Sequence, residues 1–404
     1  MRLIVFLRDQ ITKKEREEGM KINRMVPCFT ALVFALAESS ASAALTQNYT
    51  KTAGSYNWSD TTIWSLGTLP TAANSAQIRK GTILNGDTDA TVGEIRIFES
   101  STFSAGKDIT VNGGVGENSY TLVGVATTGT LNVVTGGSLT GPRVYYGYTG
   151  RGYGTISGGT LTAPDLYIAN GATTVADVTQ TGGNVIAKNS VHLNYTAGAN
   201  GIYHLQDGTL TTGVLAFRNK SGAINAFDWT GGTLKTASIN YLTENNPAFN
   251  QSAGILDPTK FNGDGSVNEI STLNFNASVG AASYTLSGTG QLKMQLAGTS
   301  AGISYDQLLV EGGFTAGGTL DVTLINGFNV TQGDSFNIID AATFAGQFSQ
   351  VNLPTLTGGL GWNTDQLATA GILEVVAIPE PTTLGLFLIS GIGTLFCRRR
   401  LRNT

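Results

Sequence analysis

Hydrophobic and polar residues alternate in short runs punctuated by glycine. Examples are 129–134 (Gly-Thr-Leu-Asn-Val-Val), 165–169 (Asp-Leu-Tyr-Ile-Ala), 190–194 (Ser-Val-His-Leu-Asn) and 213–217 (Gly-Val-Leu-Ala-Phe). A period of two over four to six residues turns one side of a run inward and the other to water, so these read as half-buried β-strands. The runs recur. Six segments end in a Gly followed one or two positions later by an aliphatic residue: Leu139, Leu161, Val185, Leu210, Leu234 and Leu256, at spacings of 22, 24, 25, 24 and 22. A unit this short cannot bury its own apolar face, but a stack of such units can. The period predicts an all-β fold with a parallel β-solenoid over 77–261, a right-handed β-helix with coils of about 22–25 residues. Gly supplies the positive-φ corners, aliphatics fill the bore, and coils lie about 4.8 Å apart, so six coils extend roughly 30 Å.

The flanks depart from this rhythm. Runs at 94–98 and 108–111 predict two or three degenerate coils over 77–125. Trp58 and Trp64 mark 44–76 as an N-terminal cap, with aromatic sugar stacking as the other reading. Residues 262–269 (Asn-Gly-Asp-Gly-Ser-Val-Asn-Glu) break the repeat and predict a linker over 262–270. Their likeness to a calcium loop fails at both main carboxylate positions, which are Lys260 and Ser271. Over 271–377, runs at 271–275, 291–296, 307–310, 319–324 and 335–339 are separated by turn signals every eight to twelve residues. That spacing predicts a C-terminal antiparallel β-sandwich-like domain, with a solenoid cap as the alternative.

Composition agrees with strands and turns. Of 404 residues 53 are Gly, 41% are hydrophobic and only 13% are charged. Gly costs about 1 kcal/mol per helical position, so a helical body is excluded. Nine prolines without a Gly-X-Y period exclude collagen. Between 45 and 377 there are 13 basic and 22 acidic residues. An acidic body repels phosphate, so no nucleic-acid partner is expected. The two cysteines, Cys28 and Cys397, lie in terminal apolar segments, which leaves the body no disulfide framework and no thiolate metal site.

Both ends read as addresses. Lys21 and Arg24 precede an apolar run at 26–37 and then Ala41-Ser42-Ala43. That order predicts a leader and signal peptide over 1–43, cut by signal peptidase after Ala43. Translation starts at Met1, Met20 or Met25. At the other end, Pro379-Glu380-Pro381 precedes an apolar run at 384–397 and the cluster Arg398-Arg399-Arg400. Basic residues after an apolar run stay cytoplasmic, which leaves the body outside.

This three-part tail, 378–404, resembles the PEP-CTERM sorting signal of Gram-negative bacteria. The resemblance implies recognition and removal of the tail by exosortase, a membrane transpeptidase. Pro379, Glu380 and Pro381 are then the sorting motif, 384–396 the transmembrane helix, and Arg398, Arg399 and Arg400 the membrane stop. The Gly-Gly-x-Leu pattern also resembles the repeats of autotransporter-like passengers. The stretch containing Tyr305-Asp306-Gln307-Leu308, Gly318-Thr319-Leu320 and Gly333-Asp334-Ser335-Phe336 resembles a module found next to such tails.

Candidate chemistry is sparse. His192 and His204 are 12 residues apart, which does not align them on adjacent coils. No Gly-x-Ser-x-Gly elbow, His-Glu-x-x-His or phosphate loop occurs. A lyase would need carboxylates and a basic group converging on one groove, and Arg143, Arg151, Asp165 and Lys188 are the local candidates. The expectation is an exported, non-catalytic surface or extracellular-matrix protein. It is anchored in the inner membrane before processing and associated with exopolysaccharide, and it uses no cofactor or metal. Low charge, Thr- and Asn-rich faces and exposed Tyr145, Tyr146 and Tyr148 suit that role. The alternative is a carbohydrate-binding or polysaccharide-degrading β-helix, for which converging Asp and Arg side chains are the discriminating feature.

Overall fold

The computed structural model describes residues 45–112, 119–218 and 226–378. The signal segment 1–43, the motif Pro379–Pro381, the apolar run and Arg398–Arg400 lie outside them. Among the described residues no helix is long and apolar enough to cross a membrane.

The described chain winds as a parallel β-solenoid with three faces. Face A runs from Thr46–Tyr49 through Asn74–Ile78, Glu94–Ile97, Thr121–Val123 and Arg143–Tyr146, then onward through 165–168, 190–193 and 214–217. Face B runs from Gly54–Asn57 through Thr82–Gly86, Ser101–Ala105 and Thr128–Val133 to 151–156. Face C begins at Ala90–Val92. In the middle of the stack one long bent strand carries all three faces of a coil, as in Arg151–Ile168, Val175–Leu193 and Asn200–Phe217. Register shifts at 156–160 and 163–165 make the corners.

The aliphatics that close each repeat form one ladder on face C. Ile109, Leu139, Leu161, Val185, Leu210, Leu234 and Leu256 pair in register, and the ladder continues through Leu292 and Leu320 to Val351. From Ile109 to Leu320 every rung is fully buried. Each such side chain contributes a few kcal/mol, since Leu→Ala in a core costs about 2–5 kcal/mol. Corners use positive φ as expected. At Gly183 (φ 69°) an added Cβ would strike the Gly159 carbonyl of the coil before. At the corner after face A, however, Ala169 and Asn194 hold φ near 60° where earlier coils have Gly124 and Gly147.

The two tryptophans of the N-terminal segment pack into the bore. Trp58 and Trp64 are fully buried, 5.0 Å apart edge to face, and Trp58 lies 5.4 Å from Phe103 in the bore. Trp64 Nε1 donates to the Trp58 carbonyl at 3.2 Å. The segment is more than a cap, because its strands are already the first rungs of faces A and B.

Two expectations are corrected. The 271–377 stretch is no antiparallel sandwich. Thr272–Val279 pairs parallel with Gln307–Ala316, Gln291–Leu296 with Thr319–Leu324, and that strand with Gln350–Asn352. The solenoid continues to residue 352, and among the described residues of this stretch antiparallel strand pairing occurs in a small terminal sheet of Ser335–Asn337, Leu360–Asn363 and Ile372–Ala377, beside one isolated bridge between Leu296 and Tyr305. Alternation has the same period in parallel and antiparallel strands, so the pattern alone did not separate them. Nor is 262–270 a linker between domains. It is a hairpin, Lys260–Phe261 against Val267–Asn268, inserted in one coil between faces C and A while the ladder passes on beneath it. The insert lengthens that coil, which is why the spacing of the repeat fails there.

Candidate functional site

The outer side of face A carries the densest cluster of chemistry. Along Arg143–Tyr146 residues alternate, so Val144 and Tyr146 enter the bore while Arg143 and Tyr145 point out. Parallel register then aligns like positions of successive coils. Tyr145 sits beside Tyr167 and Tyr167 beside His192, while Arg143 sits beside Asp165. The Tyr145 and Tyr167 rings stack at 4.4 Å and 13°, and Tyr167 meets the His192 ring at 4.6 Å. Corner residues close over them edge to face, Tyr148 on Tyr145 at 5.3 Å and Tyr195 on Tyr167 at 5.1 Å. Tyr120 adds a second edge contact to Tyr145 at 5.7 Å.

Three charged groups border this stack. Arg143 Nε lies 3.8 Å from Asp165 Oδ2, and His192 Nε2 lies 3.9 Å from Asp165 Oδ1. Arg218 Nε donates to His192 Nδ1 at 3.2 Å, which assigns the imidazole proton to Nε2. Burial first, and then the Arg218 and Arg143 guanidiniums, push the His192 pKa down to about 4. Asp165 does not reverse this. It is beyond hydrogen-bond distance from the ring and is engaged by Arg143 and Asn189. Burial, reinforced by Tyr167, lifts the Tyr145 phenol up to about 12. At neutral pH the cluster therefore holds a neutral His192 and a neutral Tyr145 phenol beside the Arg143–Asp165 pair and the Arg218 guanidinium.

Of the four lyase candidates, the fold brings Arg143 and Asp165 together and leaves out the others. Arg151 is exposed on face B beside Thr128 and Val175. Lys188 sits where the 260–268 hairpin folds back, near Gly265 and Asp264. The tyrosines also differ from expectation. Tyr146 is fully buried in the bore and Tyr145 is only 8% exposed, because adjacent strand residues face opposite ways and both sides of face A are covered here. Tyr146 fits because Gly154 has no side chain, and a Cβ there would meet its ring. Tyr167, Tyr195 and Arg218 were not singled out in the sequence. The signal was present for Tyr167, since Tyr145 and Tyr167 are separated by the same 22 residues as Leu139 and Leu161.

Two other polar clusters lie elsewhere. His204 Nδ1 is 2.8 Å from Asp228 Oδ2 and its Nε2 is 3.4 Å from Asp177 Oδ1, on the outer side of face B. On face C, Lys235, Asp257, Lys293 and Asp321 stack in register with alternating sign. The buried Asp257 lies 3.5 Å from Lys235 and 3.0 Å from Lys293, and Glu269 at the base of the hairpin closes on Lys235 at 2.9 Å. Below it, burial pushes the Asp306 carboxyl up to about 8, although the Ser271 and Gln295 backbone N–H groups donate to it. The repeat glycines themselves floor a shallow open trough of about 410 Å3 between Asp207, Thr233 and Gln291. Among the described residues no group of three or more His, Cys, Asp or Glu is arranged to hold a metal ion. Asp264 in the hairpin spends its carboxylate on the Ser266 N–H and hydroxyl.

Comparison with known proteins finds no matching family model and no matching curated protein.

Proposed function

We propose that this is an exported, non-catalytic structural protein of the bacterial surface or extracellular matrix. In this reading exosortase acts at Pro379-Glu380-Pro381, Arg398–Arg400 hold the tail in the inner membrane until then, and the released body associates with exopolysaccharide. The observation that supports it best is how completely face A consumes its own chemistry. The stacked tyrosines cover each other's ring faces, so no flat aromatic platform is left for a sugar at Tyr145 or Tyr167. His192, with its pKa near 4, is a weak base at neutral pH. Face A pairs strand on strand without a break from Thr46–Tyr49 to Ile339–Gly346, which supports a mechanical role.

A carbohydrate-binding or degrading role is the second reading, and the meeting of Arg143, Asp165 and His192 is what favours it. One experiment separates the two at the outset. Intact mass and cell fractionation are measured for the native protein and for a variant with Pro379-Glu380-Pro381 replaced by alanines. A body ending near residue 380, released or glycan-bound, and lost in the variant is expected. A full-length chain retained in the inner membrane in both cases overturns the sorting reading and returns weight to a periplasmic binding role.

A further inference from the structure

The outer tyrosines of face A hold two phenols in a reactive arrangement. Tyr145 and Tyr167 are in register on adjacent coils, and their rings are 4.4 Å apart and nearly parallel. Stacking in register sets the ring carbons ortho to the two hydroxyls on facing rings. We propose that Tyr145 and Tyr167 are a modification site, joined by an intramolecular dityrosine bond when the protein meets hydrogen peroxide and a haem peroxidase.

The step balances. Each phenol gives up one electron and one proton and becomes a phenoxyl radical. The radicals couple through one ortho carbon of each ring, a C–C bond forms, and the two ortho hydrogens shift to oxygen as the rings regain aromaticity. One hydrogen peroxide is reduced to two water molecules for each bond formed. Both rings are more than 90% buried, so a peroxidase cannot touch them directly. It does not need to. Tyr195 is 41% exposed and packs 5.1 Å from Tyr167, and the half-buried Tyr148 packs 5.3 Å from Tyr145. An electron crosses such ring contacts readily, so the outer pair passes the oxidation inward. The neighbours also favour coupling over escape. Tyr120, Tyr148 and Tyr195 wall the pair edge-on and keep solvent from the radical faces. The product ties consecutive coils together covalently on their outer side, where backbone hydrogen bonds, side-chain packing and the Arg143–Asp165 ion pair joined them before.

The test uses the purified full-length chain at high dilution with horseradish peroxidase and hydrogen peroxide, each omitted in turn as a control. Dityrosine fluorescence is expected at monomer mass on a denaturing gel. Tryptic digestion should give peptide 144–151 joined to peptide 152–188, lighter by two hydrogens than their sum, with fragment ions placing the bond at Tyr145 and Tyr167. Tyr145→Phe and Tyr167→Phe keep the ring stack and should each abolish that species. Tyr148→Phe combined with Tyr195→Phe should slow its formation several-fold without changing its identity. Circular dichroism of each variant checks that the fold survives. A bond at Tyr148, Tyr153 or Tyr195 instead, cross-linking only between molecules, or no dityrosine at all overturns the proposal. The wild-type peptide map decides alone should a variant fail to fold.

Discussion

The Tyr203 hydroxyl donates to Gln180 Oε1 at 2.6 Å inside the bore, joining two consecutive coils through their cores. The arrangement occurs twice, since Tyr284 donates to Gln251 Oε1 at 2.5 Å. Each Gln spends its amide hydrogens in the same way. Gln180 Nε2 donates to the Gly183 and Thr209 carbonyls, and Gln251 Nε2 to those of Gly254 and Gln291. A Gln three residues before a corner glycine thus ties that corner to the corner of the next coil, and the Tyr satisfies what remains. All four side chains are fully buried, so none has water as a substitute partner.

Tyr203→Phe should therefore destabilise by about 1–3 kcal/mol, the cost of leaving a buried acceptor without its donor. Adding Gln180→Leu should cost less than the sum of the two single changes, because both partners then leave together. Denaturant unfolding of the four proteins measures this. Strict additivity would mean that the pair is not coupled.

Gly154→Ala should cost about 2 kcal/mol or more, since the new methyl meets the Tyr146 ring and the Leu131 carbonyl at once. Gly263→Ala in the hairpin is the control. Nothing lies within 4 Å of that position, and a change within about 0.5 kcal/mol is expected. Comparable melting points for the two variants would contradict the packing around Tyr146.

Two buried groups set opposing pH dependences. His192 is depressed from 6.5 to about 4, so its contribution is full above pH 6.5 and is lost as pH falls toward 4. That loss amounts to roughly 3 kcal/mol at about 1.36 kcal/mol per pKa unit. Asp306 is raised from 3.8 to about 8, so its contribution is present below pH 3.8 and is lost as pH rises through 8. Wild-type stability should therefore vary little between pH 4 and 6.5. His192→Gln removes one of the two slopes, and stability should then fall steadily from pH 4 to 8. A variant whose pH profile parallels the wild type would show that His192 is not held neutral.

Asp257→Ala should destabilise by about 3 kcal/mol, because it leaves the Lys235 and Lys293 ammonium groups facing each other on face C. Lys293→Met should cost less, since Lys235 still pairs with Asp257. Calorimetry of both variants at low and high salt checks the order. A reversed order would mean that the Lys235–Glu269 contact dominates the cluster.

The sequence by itself determined the repeat unit and the bore ladder. These follow from local facts, alternation and glycine at corners. The leucines at 139, 161, 210, 234 and 256, with Val185 among them, are the rungs that their spacing implied, because in-register parallel stacking turns a sequence period directly into a column. Beyond Leu256 the period breaks at the hairpin, and only the tertiary structure decided that Leu292, Leu320 and Val351 belong to the same column. Strand direction was equally hidden, since hydrogen bonds to a distant segment fix it and the strand's own residues do not. The candidate site was half legible. Arg143 and Asp165 stood among the lyase candidates and His192 apart from them, but their meeting depends on which coil rests on which, and on the corner shifts at 163–165 and 187–190 that keep the outer column in register. The burial of Tyr145 and Tyr146 on opposite sides of one strand was decided there too. It takes the neighbouring coils, with Tyr148 and Tyr195 at their corners, to cover a face that the sequence left open to water.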